Sequence, residues 1–365
     1  MPVNAGEVMK KEHLELLREF ISYRPVSADP AAVDRVQMRM KEFLEANGLV
    51  CTLEKVEDRH LLFASTTGNK QPDILFNPHV DVVPATNPDE QYAVVDKGDR
   101  IYARGIADDL SNAVCVAQTL IELKGRVDAG AIFTGNEEVG GSTTDGMIKL
   151  GYGAKKMVVV ADGNSGLARA MYAHKGVVIL KLIARGRTGH SSRPWEFDNA
   201  IDKLIRGYLK LADVWDNPTS VGDWRNTMAP CIISGGQAVN QIPGEASMIL
   251  NFRIVNADDL EKLPKMVAEV TGLEVEFMRG CLPFNGDPQS PQLRLLAEVM
   301  VEESGTIPEF QRMTGATDAR HLQKLGVPVA IIGCRGAGGH SACEYIESDA
   351  IDRMVPVFVK LATRL

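Results

Sequence analysis

The stretch Ile74-Leu75-Phe76-Asn77-Pro78-His79-Val80-Asp81 joins a short apolar run to a histidine and an aspartate two positions apart. Proline on both sides of the apolar run predicts a short buried strand. Residues i and i+2 of an extended chain point the same way, so His79 and Asp81 should emerge together where the strand ends. Such a pair fits a metal ligand beside the group that orients it, although a solvated polar turn is also compatible with it.

Further clusters of acidic residues and histidine follow along the chain, most of them after an apolar run. They are Asp108-Asp109, Glu137-Glu138, Asp162 and His340. Strands that alternate with helices to about residue 170 predict an α/β fold with parallel strands, in which ligands collect at the carboxyl ends of the strands. Asp109, at a helix start, is equally well explained as a cap.

The donor types in these clusters point to one chemistry. Imidazole and carboxylate without thiolate suit zinc, manganese or cobalt at a hydrolytic site. The candidates are too many for one catalytic zinc, which keeps three protein ligands and an open position. They fit two ions about 3.5–4 Å apart with one shared carboxylate, and one glutamate then remains as a general base. The six residues of this set are His79, Asp108, Glu137, Glu138, Asp162 and His340.

These elements resemble the M20 metallopeptidases, in order and over nearly the whole chain. The matching motifs are HxDxVP at His79 to Pro84, RGxxD at Arg104 to Asp108, the Glu137-Glu138 pair, and His340 with Glu344 after it. The resemblance implies two divalent ions, with zinc expected and cobalt or manganese as alternatives. It implies that His79 and Asp162 hold one ion, that Glu138 and His340 hold the other, and that Asp108 bridges them. It also implies that Glu137 is the general base and that Asp81 orients His79.

The pattern of elements changes near Lys175. The sequence predicts a strand at Val177 to Ile183, a helix at 198–214, strands at 229–235 and 246–254, a helix at 257–271 and a strand at 273–279. None of the metal clusters lies in this part. We therefore predict a catalytic domain of residues 1–174 and 281–365, with a mixed, mostly parallel sheet flanked by helices. An α+β sandwich of residues 175–280 is inserted in it and resembles the family's lid or dimerisation domain, which implies a homodimer.

Three residues of the predicted insert resemble family positions that handle substrate. His190, in Gly189-His190-Ser191, would stabilise the oxyanion from the partner subunit, whereas the plainer interpretation is a loop histidine bonded to backbone. Asn240 also matches the family, and a turn residue is its alternative. Arg253 would bind a substrate carboxylate through paired hydrogen bonds, and an exposed ion pair is its alternative.

Composition limits the classes of function. The chain has 365 residues, 45% of them hydrophobic, and a formal net charge of −8 without a basic block, so a nucleic-acid partner is not expected. The six cysteines form no CxxC motif, which indicates neither a thiolate zinc site nor a disulfide framework. Met1 to Lys11 lack the apolar core of a signal peptide and no run is long enough to span a membrane, so we expect cytoplasmic residence.

The sequence therefore predicts a metal-dependent hydrolase. It would cleave an amide bond of a small peptide or an N-acyl amino acid with a free carboxylate, using a metal-activated water with Glu137 as base. The motifs do not decide between peptide and N-acyl amino acid. The alternative is a non-catalytic binding protein that retains the fold.

Overall fold

The computed structural model describes residues 9–220 and 222–365. Most of the N-terminal segment in which we expected no signal peptide therefore lies outside the described residues. Among those residues, no helix has the length and apolar character that a membrane crossing requires.

The chain forms two compact units. The first comprises the residues up to Ala173 together with Asn285–Arg312 and Thr317–Leu365. The second comprises His174–Phe284 and Met313–Ala316. The predicted boundaries, 174/175 and 280/281, differ from these by one and four residues. The short return of the chain at 313–316 was not predicted.

Both units are built from helices and strands, which are numbered in chain order. The helices are α1 (Lys11–Ser22), α2 (Pro30–Ala46), α3 (Pro88–Gln91), α4 (Ser111–Leu123), α5 (Ser142–Lys149), α6 (Ala200–Val214), α7 (Asp259–Thr271), α8 (Pro291–Ser304), α9 (Ala319–Leu322) and α10 (Ala350–Arg364). The strands are β1 (Val50–Val56), β2 (Arg59–Ser65), β3 (Ile74–Asn77), β4 (Val95–Asp96), β5 (Arg100–Tyr102), β6 (Ala129–Phe133), β7 (Met157–Val160), β8 (Arg169–His174), β9 (Gly176–Arg185), β10 (Gly189–His190), β11 (Thr227–Gly235), β12 (Gln241–Ile242), β13 (Glu245–Ile254), β14 (Glu274–Cys281), β15 (Phe284–Asn285), β16 (Glu309–Met313), β17 (Val329–Ile331), β18 (Gly336–Ala337) and β19 (Tyr345–Glu347).

A mixed sheet forms the centre of the first unit. Its strand order is β1-β2-β6-β3-β7-β17-β8-β15, and β16 also pairs with β8. The four central strands β6, β3, β7 and β17 are mutually parallel, whereas β1–β2, β2–β6 and β17–β8 are antiparallel. The predicted α/β class is confirmed, and the parallel arrangement is confined to the middle of the sheet.

Helices bury the central strands of this sheet. Strands β3, β6 and β7 are buried at every position, because apolar residues cover both faces. The ring of Phe76 on β3 meets that of Phe358 on α10, with 5.2 Å between ring centroids. Asp29 caps the start of helix α2, because its carboxylate accepts a hydrogen bond from the amide of Ala32. Pro30 occupies the first helical position. This packing fixes the strand ends from which the candidate ligands project.

The second unit is a four-stranded antiparallel sheet with α6 and α7. Its strand order is β11-β13-β9-β14, and every predicted element of the insert is present with ends within two residues of the prediction. Burial alternates along β13, because one face packs on the helices. The edge strand β11 is exposed from Ala229 onward. The α+β sandwich predicted for this region is confirmed.

Candidate metal centre

The candidate ligands of the first unit follow the ends of parallel strands. His79 comes two residues after β3 and forms an isolated parallel bridge with Thr134, which directly follows β6. Asp162 comes two residues after β7, on the other side of β3. Because the carboxyl ends of neighbouring parallel strands meet at one edge, the side chains converge there.

In the first group of potential ligands, His79 and Asp109 are buried and Asp162 is partly exposed. The Nε2 atom of His79 lies 3.0 Å from Oδ1 of Asp108 and 3.9 Å from Oδ1 of Asp162. His79, Asp109 and Asp162 each offer a ligand atom within 4.8 Å of the others. The structure thus brings together the two residues predicted to share one ion.

A second group lies on the other side of Asp108. The Nε2 atom of His340 is 3.2 Å from Oδ2 of Asp108 and 2.9 Å from Oε2 of Glu138. His340 has a positive φ of 65°, and 56% of its side chain is exposed. Since one oxygen of Asp108 faces His79 and the other faces His340, Asp108 occupies the position expected of a bridging carboxylate.

The electrostatics of these groups favour a cation. Burial would lower the pKa of His79, yet the neighbouring carboxylates of Asp108 and Asp81 raise it well above its usual range. Hydrogen bonds to Asp108 and Glu138 raise the pKa of His340 to about 10. Burial raises the pKa of Asp162 well above its usual range. The raised pKa values favour protonated His79 and His340 and a protonated Asp162, which indicates an excess of negative charge in this cluster. Bound divalent ions would neutralise that charge.

The residues present therefore fit two divalent ions. Imidazole nitrogens and carboxylate oxygens are the ligands of hydrolytic zinc, manganese and cobalt sites. The first group consists of His79, Asp109 and Asp162, and the second of Asp108, Glu138 and His340. Asp108 of the second group also contacts His79 of the first.

Asp81 contributes differently from the simplest expectation. The nearer acceptor for Nδ1 of His79 is the backbone carbonyl of Asp81, at 2.9 Å, while its carboxylate is 3.6 Å away. That carboxylate accepts hydrogen bonds from Ser27 Oγ at 2.6 Å and from the amides of Glu137 at 3.1 Å and Glu138 at 3.3 Å. The Asp81 backbone thus leaves Nε2 of His79 for a metal, and the Asp81 carboxylate ties the His79 turn to the glutamate pair.

Asp109 does more than the helix cap that its position suggested. Its carboxylate accepts from the backbone amide of His79 at 3.0 Å and from the side-chain amide of Asn112. Helix α4 has no side-chain cap at its start. Burial raises the pKa of Asp109 well above its usual range. The sequence shows Asp109 only as the second residue of an acidic pair. The fold shows that its carboxylate binds the backbone amide of His79.

Glu137 lies beside the candidate ligand Glu138 in a short 3-10 turn, Glu137–Val139. Its Oε1 atom is 3.2 Å from Nη1 of Arg320, and both side chains are almost fully buried. Burial raises the pKa of Glu137 to about 8, and the carboxylate of Asp318 adds to this rise. The sequence motifs assign Arg320 no role.

The remaining predicted residues belong to the second unit. His190 on β10 pairs with Gln241 on β12, and its Nδ1 lies 2.8 Å from Oγ of Ser192. The carbonyl of Asn240 accepts from the amide of Ser191, so the fold brings His190 and Asn240 together. Arg253 lies on another sheet, on β13 opposite Val177 and Thr227.

Comparison with known proteins agrees with this site. Residues 75–364 match the model of peptidase family M20/M25/M40, so the chain belongs to that family. A probable succinyl-diaminopimelate desuccinylase of Staphylococcus aureus (strain MRSA252) is 25% identical over 397 residues, which cover 96% of each chain.

Two solved structures share the fold. Aminopeptidase PepT from Bacillus cereus ATCC 10987 superposes with a TM-score of 0.78 at 16% identity, over 96% of this chain and 98% of that one. The YXEP protein of Bacillus subtilis, described as a dinuclear metal-binding peptidase of family M20, has a TM-score of 0.68 at 14% identity over 96% and 98%. The family membership makes this chain an enzyme, a metal-dependent hydrolase of amide bonds, and it supports two divalent ions in the site. The prediction of a hydrolase is confirmed, and the alternative of a non-catalytic binding protein is not favoured.

Proposed function

We propose that this hydrolase cleaves the amide bond of an N-acyl amino acid or a small peptide that carries a free carboxylate. The observation that supports the proposal most directly is the position of the Asp108 carboxylate between His79 and His340, with Glu137 next to Glu138. An N-succinyl amino acid is the first substrate to test, because a relative over the full length is a probable desuccinylase. We propose zinc as the ion, with cobalt or manganese as alternatives.

The chain's own residues would divide the reaction among them. Two divalent ions, when bound, supply Lewis acidity toward the amide carbonyl and the attacking water. Glu137 accepts the proton of that water and delivers it to the leaving amine. Asp81 holds the turn of Glu137 through two backbone amides, which keeps the base near the reacting atoms. His190 as an oxyanion donor, and Asn240 and Arg253 as substrate contacts, stay predictions.

We also propose that the protein is a homodimer assembled through its second unit. Strand β11 lies at the edge of its sheet, where only one of its sides pairs with a neighbour, β13. Its residues Ile232 and Ile233 are 58% and 61% exposed. Exposed apolar edge strands are usually protected by pairing. The molar mass in solution, measured by light scattering for the wild type and for Ile233→Lys, tests this. A monomeric wild type would contradict the proposed homodimer and would also contradict a role for His190 in the active site of a partner subunit.

The central experiment is Glu137→Gln, assayed on N-succinyl, N-acetyl and dipeptide substrates with free and amidated carboxyl ends. Loss of a general base typically lowers turnover by about 10²–10⁴-fold, and metal content should stay near wild type because Glu137 is not in either ligand group. Glu347→Gln is the control, since Glu347 pairs with the half-exposed Arg335. Near-wild-type turnover of Glu137→Gln would refute the assignment. Equal turnover on amidated substrates would refute the free carboxylate.

A further inference from the structure

Glu344 is a buried carboxylate that the proposed reaction leaves without a role. Only 2% of it is exposed. Its Oε2 accepts hydrogen bonds from Nη1 of Arg104 at 2.8 Å and from the amide of Gly105 at 2.9 Å. Its Oε1 accepts from the amides of Ala107 at 2.9 Å and Asp108 at 3.1 Å. One side chain therefore satisfies four donors of the loop that carries Asp108.

The same carboxylate belongs to the loop that carries His340. Glu344 is four residues beyond His340 and leads directly into β19, which pairs with β5. The two loops are 232 positions apart between Asp108 and His340, yet Nε2 of His340 lies 3.2 Å from Oδ2 of Asp108. A Cβ on Gly339 would be 3.1 Å from Oδ2 of Asp108, so the backbone of Gly339 also lies close to the Asp108 carboxylate. Glu344 thus links the two loops beside the second ligand group.

The four donors require an ionised acceptor. Each carboxylate oxygen of Glu344 already faces two N–H groups. A glutamine at this position would turn an amide N–H₂ toward two other donors and leave those buried N–H groups without an acceptor. The bonds are also charge-assisted, which roughly doubles their strength. The hydrogen bonds to Glu344 therefore require a carboxylate, and not only a side chain of its size.

We propose that Glu344 is a positioning residue that holds Asp108 and His340 at the separation needed to bind the second metal ion. The inference rests on the proposed two-ion function. The first ion depends less on Glu344, because its candidate ligands His79 and Asp162 follow the ends of the parallel strands β3 and β7, and His79 is buried. His340 is half exposed on a loop, so it depends on the Glu344 linkage.

Metal titration of the chelated protein tests this. Zinc affinity and stoichiometry would be measured by competition with a chromophoric chelator for wild type, Glu344→Gln and the control Glu347→Gln, which changes the half-buried last residue of β19. Groups that orient metal ligands typically change metal affinity about 10–100-fold. We expect Glu344→Gln to keep one tight ion and to bind the second about 10–100-fold more weakly, while Glu347→Gln matches wild type. Saturating zinc should then restore kcat with KM unchanged.

Each outcome has a defined meaning. Wild-type affinity for both ions in Glu344→Gln would overturn the positioning role and leave the two-ion hydrolase intact. A wild type that binds no pair of divalent ions would overturn both proposals. If Glu344→Gln does not fold, Glu344→Asp carries the same test, because it keeps the charge but is one methylene too short to reach both pairs of donors. Loss of both ions to the same extent would also overturn the role, since a general loss of fold would affect the two groups alike.

Discussion

Arg320→Met should destabilise the metal-free protein, because it removes a cation from between two buried carboxylates. Arg320 is 4% exposed, its Nη1 is 3.2 Å from Oε1 of Glu137, and its Nη2 is 3.7 Å from Oδ1 of Asp318. Nη1 also donates to the carbonyl of Thr317 at 2.9 Å. Methionine keeps much of the apolar stem, so the change removes charge and hydrogen bonds more than volume.

The expected loss follows from the burial of the partners. Removing one partner of a buried ion pair costs about 3–5 kcal/mol, because the other charge is left uncompensated. Burial already raises the pKa of Glu137 to about 8, so this carboxyl can take up a proton near neutral pH and limit the loss. We therefore expect the lower end, about 3 kcal/mol. For a unit of this size that lowers Tm by about 6–12 °C.

Thermal unfolding followed by circular dichroism, with a chelator at pH 7.5, measures the effect. The matched control is Arg335→Met, which breaks an exposed pair with Glu347 and should change stability by about 1 kcal/mol or less. The double variant Glu137→Gln/Arg320→Met should recover part of the loss, because the stranded carboxylate is gone. A Tm of Arg320→Met within about 2 °C of wild type, or no recovery in the double variant, would refute the reasoning.

Three further predictions concern other parts of the first unit. Two lysines lower the pKa of Asp145 to about 2, so Asp145→Asn should cost up to about 1 kcal/mol at pH 7 in urea unfolding, a difference that fades as pH falls from about 4 to about 2. Gly141 has a φ of +63°, and the Cβ of Gly141→Ala would lie 1.9 Å from Oδ1 of Asp318, so this variant should lower both Tm and turnover. The control Gly151→Ala has open space around its Cβ and should show only the backbone cost of a positive φ, about 1–2 kcal/mol. Phe358→Ala should cost about 3–5 kcal/mol in the same urea assay, since its ring is fully buried.

Much of the fold could be predicted from periodicity. The alternation along Glu245–Ile254 and the amphipathic pattern of Ala200–Val214 reflect one buried face each, and that signal is local. The small sheet of β4, β5, β18 and β19 could not be predicted this way. Its strands are two or three residues long, and its two local pairs, β4–β5 and β18–β19, are joined by residues about 240 positions apart, as Tyr102 and Tyr345 are.

The convergence of the candidate ligands was predictable for a related reason, and the residues that support them were not. Apolar runs that end in His79 or Asp162 carry their own strand signal, and parallel strands bring such ends together. Arg320 and Glu137 are 183 positions apart, and neither flanking sequence indicates that the two side chains meet. The choice of the Asp81 carbonyl over its carboxylate as the nearer acceptor for His79 depends on a turn geometry that residue types do not encode.

The supports show how the fold maintains a site that is unfavourable to build. Burial opposes ionisation of the carboxylates gathered at the strand ends, and the direction of the pKa changes at Asp109, Glu137 and Asp162 records that opposition. A neutral replacement set would stabilise the metal-free fold, but it would also remove the field that attracts a divalent ion. Ligand positions therefore cannot be optimised for stability. The compensation must come from neighbours such as Arg320 and the backbone amides around Glu344 and Asp81, which satisfy carboxylates without entering the ligand groups.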